Sequence, residues 1–545
     1  MKFIAILTLV SCLFACQNKK ETVDMILYNG QVLTLDDSIT SATCIVIKEG
    51  KILALGNDDM RNQYTCVSNQ MIDLKQSFVY PGFIDAHCHF YGYAKTLMNC
   101  DLTGTKSWQE VIDRLEVFAK KNPDSWLIGR GWDQNDWDVK SFPNNEALNK
   151  LFPNRGVFLQ RVDGHAAICN QYALDLAQFN TKTKIMGGEL IKSNNELTGV
   201  ILDNAVDSIR SFIPNLPQKQ LISALKEAET NCYKTGLTTL ADAGLDVETA
   251  LFLDSLYQQK ELSIYQYIML NPTPNGLKFA QEKGIFETQH LKISSFKLYA
   301  DGALGSRGAK LKKSYCDQDQ HTGLLLNSPE YFNQWCSWIL PTGYQVNTHC
   351  IGDSANRLLL EIYGKHLKGK NDERWRIEHA QVIDPKDFEL FNQYSIIPSV
   401  QPTHATSDGP WMEHRLCSHR LRGAYAYQTL LKQNGYIPLG TDFPVEGISP
   451  LNTYFSAVFR ANINDPKQTV YLKDECLSPI EALYGITLWA AKACKLEHRK
   501  GSLSKGKEAD IVVLDKDLLK TSQADFKNIK VKMTISAGQI KHNEN

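Results

Sequence analysis

The sequence predicts an α/β protein: a (β/α)8 TIM-like barrel, a small β-sandwich domain built from both chain ends, and an insertion after the first barrel strand. Three observations predict it. Short apolar runs recur at 83–87, 238–242, 264–269, 296–300, 345–349, 376–379, 397–401 and 438–442, with helix-length intervals between them, the rhythm of a parallel barrel. Turn-punctuated β-rich runs occupy both termini, and Asn29-Gly30-Gln31-Val32 has an echo in Ala537-Gly538-Gln539-Ile540. Two further strand-like runs, 126–129 and 157–161, fall between the first and second barrel runs. Assigning residues 91–230 to an inserted subdomain leaves eight strands for the barrel.

The chain's 545 residues are ample for a large core, and 43% hydrophobic with 22% charged residues is ordinary for a globular protein. A net charge of −1 and a pI near 6.9 offer nothing that would attract nucleic acid. No fixed-period repeat is present.

The N-terminus departs from this plainness. Lys2 precedes an apolar run over 3–15, too short to span a bilayer but suited to a signal peptide. It ends Leu13-Phe14-Ala15-Cys16 and is followed by Gln17-Asn18-Lys19-Lys20. This resembles the bacterial lipobox, which implies recognition through Leu13 and Ala15, removal of residues 1–15, and lipid on Cys16. Residues 16–23 then form a tether, and the protein is expected to be exported and membrane-anchored, on the periplasmic or outer-membrane side. The alternative is an ordinary secretory signal with an incidental cysteine. No later segment reads as a membrane-spanning helix. The fourteen cysteines are dispersed without a C-x-x-C pair, so the pattern specifies no disulfide. Cys88 reads as a small buried packing residue.

In chain order, the runs at 25–28, 31–35, 44–47 and 51–55 make an antiparallel sheet over 24–78. The run at 509–514 lets 491–545 complete the same β domain, with the barrel, 79–490, between the two parts. The first barrel run ends in His87-Cys88-His89. Side chains alternate along a strand, so His87 and His89 face the same way and can reach one ion. Barrels of this kind carry their reactive residues at the C-terminal ends of the strands. His349, His379 and Asp442 lie at the ends of the fifth, sixth and eighth runs, and Lys297 lies on the fourth.

The order of these residues resembles the metal-site plan of the amidohydrolase superfamily. Several phrases resemble its family 3, the YtcJ-like group: Gly131-Trp132-Asp133-Gln134, Asp163-Gly164-His165, Lys297-Leu298-Tyr299-Ala300-Asp301-Gly302, His349-Cys350-Ile351-Gly352-Asp353, Arg376-Ile377-Glu378-His379 and Gly440-Thr441-Asp442-Phe443-Pro444. The histidines His87, His89, His349 and His379 suit a divalent metal, Zn2+ first. In the superfamily this chain resembles, a lysine in the place of Lys297 is often carboxylated, and the carbamate then bridges two ions. An unmodified lysine points to one ion instead, since an ammonium repels a cation. Asp442 is the expected general base toward metal-activated water.

The remaining candidates are weaker. His404, after the seventh run, can donate to a developing oxyanion or serve in packing. His165 and Trp132 can close over a small-molecule substrate as a lid, or belong to the insertion's own structure. Asp353 is expected to cap the helix that follows it, and Glu378, facing away from the ligands, to support them from behind. The reading is a metal-dependent hydrolase of a non-peptide C–N bond, such as an N-acyl or N-formyl amide. Its rivals are a surface lipoprotein that only captures a ligand or metal, and a metal hydrolase acting on C–O bonds or deaminating a cyclic substrate. A homodimer is expected only because resembling proteins are often dimers.

Overall fold

Seven parallel strands form the barrel: β1 (Phe83–Cys88), β2 (Leu237–Leu245), β3 (Tyr265–Leu270), β4 (Leu291–Tyr299), β5 (Gln345–Cys350), β6 (Arg376–His379) and β7 (Ile397–Ser399), each paired with the next. The computed structural model describes residues 20–66, 70–123, 126–214 and 217–544. The expected signal peptide and Cys16 lie outside the described residues. Most barrel-strand positions are buried on both faces, which is why the strands read as continuous apolar runs rather than alternating ones.

The eighth run, 438–442, does not form a regular strand. It closes the barrel through single bonds: Val400 N donates to Pro438 O (3.2 Å) and Gly440 N to Val400 O (3.0 Å). On its other edge Ala86 N donates to Leu439 O (3.2 Å) and Asp442 N to His87 O (2.8 Å). The reason is close approach. A Cβ on Gly440 would stand 2.6 Å from His87 N, and Asp442 turns to φ 61, so the segment presses against β1 and then veers away. Asp85 fastens the seam, accepting from Thr441 N (3.0 Å) and Thr441 Oγ1 (2.6 Å).

Helices pack around the strands by ordinary means. Pro329–Ile339 starts on Ser328, whose hydroxyl accepts from Tyr331 N, and buries Phe332, Trp335, Cys336 and Ile339 along one face. The helix Asp353–Leu367 corrects one expectation. Gly352 is its cap residue, while Asp353 is the first helical residue and its carboxylate accepts from Lys312 N (2.8 Å).

Both chain ends build one β-sandwich. Phe78–Pro81 pairs antiparallel with Ile511–Leu514 inside a six-stranded sheet, which faces a four-stranded sheet containing Met25–Tyr28. Met25, Ile45, Val79, Ile511 and Ile535 share its core. The sheets are mixed rather than purely antiparallel, because Met25–Tyr28 runs parallel to Met71–Asp73. Glu21–Val23, expected as tether, is a short strand beside Tyr64–Cys66.

The insertion has its own six-stranded sheet, from Cys100–Asp101 to Glu196–Asp203, and its own core around Leu115, Leu127, Trp132 and Leu159. Within the span 91–230, the flanking helices Phe90–Thr96 and Gln218–Lys234 bury Ala94 and Leu225 in the barrel's core instead. A disulfide, Cys316–Cys417, joins the loop after β4 to the segment after β7. Beside it Arg415 pairs with Asp317 and donates to Asn135 Oδ1 of the insertion (3.2 Å). Among the described residues no helix is long and apolar enough to cross a membrane.

Candidate active site

At the C-terminal end of the barrel, β1 carries His87, and His89 follows it at the start of the next helix. The His87 ring is fully buried, and its Nδ1 lies 2.5 Å from Glu378 Oε2. That bond places the Nδ1 proton and turns Nε2 into the barrel mouth. There His87 Nε2 stands 3.1 Å from Lys297 Nζ and 3.5 Å from Asp442 Oδ1. His89 Nε2 approaches the same Asp442 oxygen at 3.2 Å.

His349 and His379, from β5 and β6, meet with ring centres 4.5 Å apart, and His379 lies 5.0 Å from the His87 ring. His379 and Asp442 both take left-handed backbone, φ 72 and φ 61, a strained geometry of the kind that gathers at functional sites. Asp442 Oδ2 lies 3.2 Å from His404 Nε2, while His404 Nδ1 lies 3.1 Å from Glu446 Oε1. Both His404 ring nitrogens therefore have carboxylate partners. The arrangement couples His404 to Asp442 rather than leaving a nitrogen free to face an oxyanion.

The insertion contributes His165. The His165 ring sits 5.0 Å from that of His349, and its Nδ1 bonds Asp203 Oδ1 at 2.8 Å. Trp132 does not reach the site. It is completely buried in the insertion's core against Trp137 and Phe142, and its Nε1 donates to Leu159 O (2.8 Å). An indole is large enough that the subdomain used it as packing.

The side chains of His87, His89, Lys297, His349, His379 and Asp442 thus converge from five separate stretches of a barrel. The amidohydrolase family's sequence model matches residues 70–542. The chain belongs to the amidohydrolase family. Within it the chain falls in family 3 with YtcJ of Bacillus subtilis, to which it is 28% identical over 94% of this chain and 98% of that protein. It is 22% identical to the N-substituted formamide deformylase of Arthrobacter pascens, over 95% of this chain and 98% of the other. The crystal structure of an uncharacterised metal-dependent hydrolase from Pyrococcus horikoshii superposes with a TM-score of 0.74 at 27% identity, covering 92% of this chain and 99% of that one.

The donor set fits the divalent metal of this family of hydrolases. Burial pushes His349 and His379 well below the usual imidazole range and His87 down to about 4, so all three are neutral with lone pairs to offer. His349 Nε2 and His379 Nδ1 are buried without any hydrogen-bond partner, an arrangement that a bound cation would satisfy. Atoms of His87, His89 and Asp442 lie within 4.8 Å of one another, as do atoms of His379, His404 and Asp442. Burial lowers Lys297 to about 8, which brings its neutral amine within reach of physiological pH. Burial alone would raise Asp442, yet the bonds from His404 and His89 hold it well below the carboxylate range. Glu378, also opposed by burial, is held at about 2 by Arg376 and His87.

Glu446 and Asp203 are the site's neighbours that no pattern in the sequence disclosed. Each meets its histidine across about forty residues of chain, at separations of 42 and 38, so no local motif joins them.

Proposed function

We propose that this family member hydrolyses a non-peptide carbon–nitrogen bond in a small molecule, of the N-acyl or N-formyl amide class. The single observation that carries the reading is the placement of Asp442, with Oδ1 between His87 and His89 and Oδ2 on His404. A carboxylate so placed can take a proton from a water held beside those histidines. His87, His89, His349 and His379 would hold the metal, Zn2+ in this reading, with Lys297 joining them and a second ion present if that lysine is carboxylated. A bound divalent ion supplies Lewis acidity for the scissile carbonyl and for the attacking water.

The chain's own groups do the rest. Asp442 accepts a proton from that water and returns it to the departing nitrogen, so that an amine leaves. His404 restrains Asp442 Oδ2 while this happens, and His165, carried by the insertion, borders the substrate on the His349 side. The deformylase relative, named for N-substituted formamides, supports formyl amides as the first substrates to try.

The reading extends to location: an exported protein, lipid-anchored through Cys16. The Cys316–Cys417 disulfide supports this, because such bonds persist in oxidising compartments. The deciding experiment is metal analysis of the purified protein, paired with a panel of N-formyl and N-acyl amides. Turnover that disappears in Asp442→Asn while the metal remains supports the proposal. A full metal complement without turnover on amides, esters or lactams favours a ligand-capturing protein instead.

A further inference from the structure

Behind the base stands a second carboxylate that the reaction as drawn does not use. His404 and Ser407 lie three residues apart on the helix Pro402–Ser407, and so share one face. Glu446, from the loop that follows Asp442, meets both. Its Oε1 accepts from Ser407 Oγ (2.6 Å) and lies 3.1 Å from His404 Nδ1. The other ring nitrogen, Nε2, is 3.2 Å from Asp442 Oδ2. One imidazole therefore bridges two carboxylates in a continuous chain, and the three side chains are 20%, 12% and 7% exposed from Glu446 inward to Asp442. Each link is screened from solvent and has a defined partner.

Resting on the hydrolase reading above, we propose that Glu446 is a positioning residue that fixes the His404 ring and, through it, the orientation of the Asp442 carboxylate. An imidazole ring has two broad orientations about its outer bond, and nothing in the ring itself selects between them. A carboxylate at Nδ1 selects one, the Nδ1–H donating to Glu446 while the Nε2–H donates to Asp442. Once Oδ2 of Asp442 is held there, Oδ1 is the oxygen left between His89 Nε2 (3.2 Å) and His87 Nε2 (3.5 Å). A base must be held in register with the proton it takes, and small rotations of the carboxylate would spoil that register. Ser407 in turn holds the Glu446 oxygen that faces the ring.

A merely structural Glu446 would staple the helix to the loop and do nothing more. The test compares zinc-loaded wild-type protein with Glu446→Ala, Glu446→Gln and Ser407→Ala. One readout is the long-range proton–nitrogen spectrum of 15N-histidine-labelled protein, with the His404 signals identified by their loss in His404→Gln. The other is kcat and KM on an N-formyl amide, with thermal melting to confirm folding. In Glu446→Ala the His404 ring nitrogens shift and kcat falls about 10–100-fold, the usual effect of removing such an outer partner. KM stays within about twofold, since substrate binding is untouched. Glu446→Gln keeps an acceptor oxygen and recovers most of both readouts, while Ser407→Ala disturbs them less than Glu446→Ala does. An unaltered His404 spectrum in a folded Glu446→Ala protein overturns the assignment, as does equal loss in Ser407→Ala and Glu446→Ala. If the wild-type protein turns over no amide, the hydrolysis reading fails and the spectrum alone decides the role of Glu446.

Discussion

Glu378 Oε2 lies 2.5 Å from His87 Nδ1, and both side chains are completely buried. The same carboxylate contacts Arg376 Nε through Oε1 at 2.6 Å, so a guanidinium, a carboxylate and an imidazole are joined in one buried chain. The pair converts strand alternation into function. Glu378 points away from His379 on its own strand, and thereby reaches the back of the His87 ring on another.

Removing that support should loosen metal binding. Glu378→Gln keeps the shape and loses the charge, and metal affinity is expected to fall about 10–100-fold, as for other outer partners of histidine ligands. Competition with a chelator of known affinity measures it. Affinity equal to wild type in the folded variant would show that His87 needs no help from Glu378.

Gly440 should tolerate no side chain. A Cβ there meets His87 N at 2.6 Å and His87 Cβ at 2.9 Å, and β1 is too well packed to retreat. Gly440→Ala is expected to cost about 1–3 kcal/mol through overpacking, and to weaken metal binding because His87 must shift. Denaturant unfolding and metal titration of the same protein check both effects. A variant that melts like wild type and binds metal equally well contradicts the close seam.

Metal removal should destabilise the fold as well as silence it. A ligand that binds the native state at a hundred times its Kd adds about 2.7 kcal/mol. Chelator-treated protein is therefore expected to melt lower, with recovery on adding back Zn2+. His349→Ala, which removes one of the unpartnered ring nitrogens, should shrink that recovery. Identical melting with and without metal would argue that the histidine cluster holds no ion.

Asp317, paired with two arginines, supplies a pH-dependent prediction. Burial opposes its charge, but Arg307, with Nη2 2.9 Å away, and Arg415 outweigh it and lower its carboxyl pKa. Across the interval between folded and unfolded pKa the unfolded chain binds more protons, so stability rises with pH there. The contribution is complete above the unfolded value, near 3.9 for an ordinary aspartate, and disappears as pH falls through the folded one. Asp317→Asn should therefore melt below wild type at pH 6, with the gap closing toward pH 2. A gap of equal size at both ends would assign the loss to packing.

The parts of this protein legible in the sequence are those governed by local periodicity. Alternation along one strand puts His87 and His89 on one face, and apolar run length with turn residues marks seven barrel strands and both halves of the sandwich. The weak periodicity of 438–442 was enough to suggest an eighth strand. Only the packing against His87 at Gly440, and the turn at Asp442, show why that segment closes the barrel without forming one.

What tertiary structure alone decided is where long-range neighbours end up. Trp132 and His165 read alike as lid residues of one insertion. The fold buries the indole in that subdomain's core and sends the imidazole to the His349 ring. Glu446 and Asp203 carry no motif, and become partners of His404 and His165 only when separate loops converge. Residue type and spacing fix which way a side chain leaves its own strand or helix. What it then touches depends on loop closure and core packing summed over the whole chain, and no short stretch of sequence holds that information.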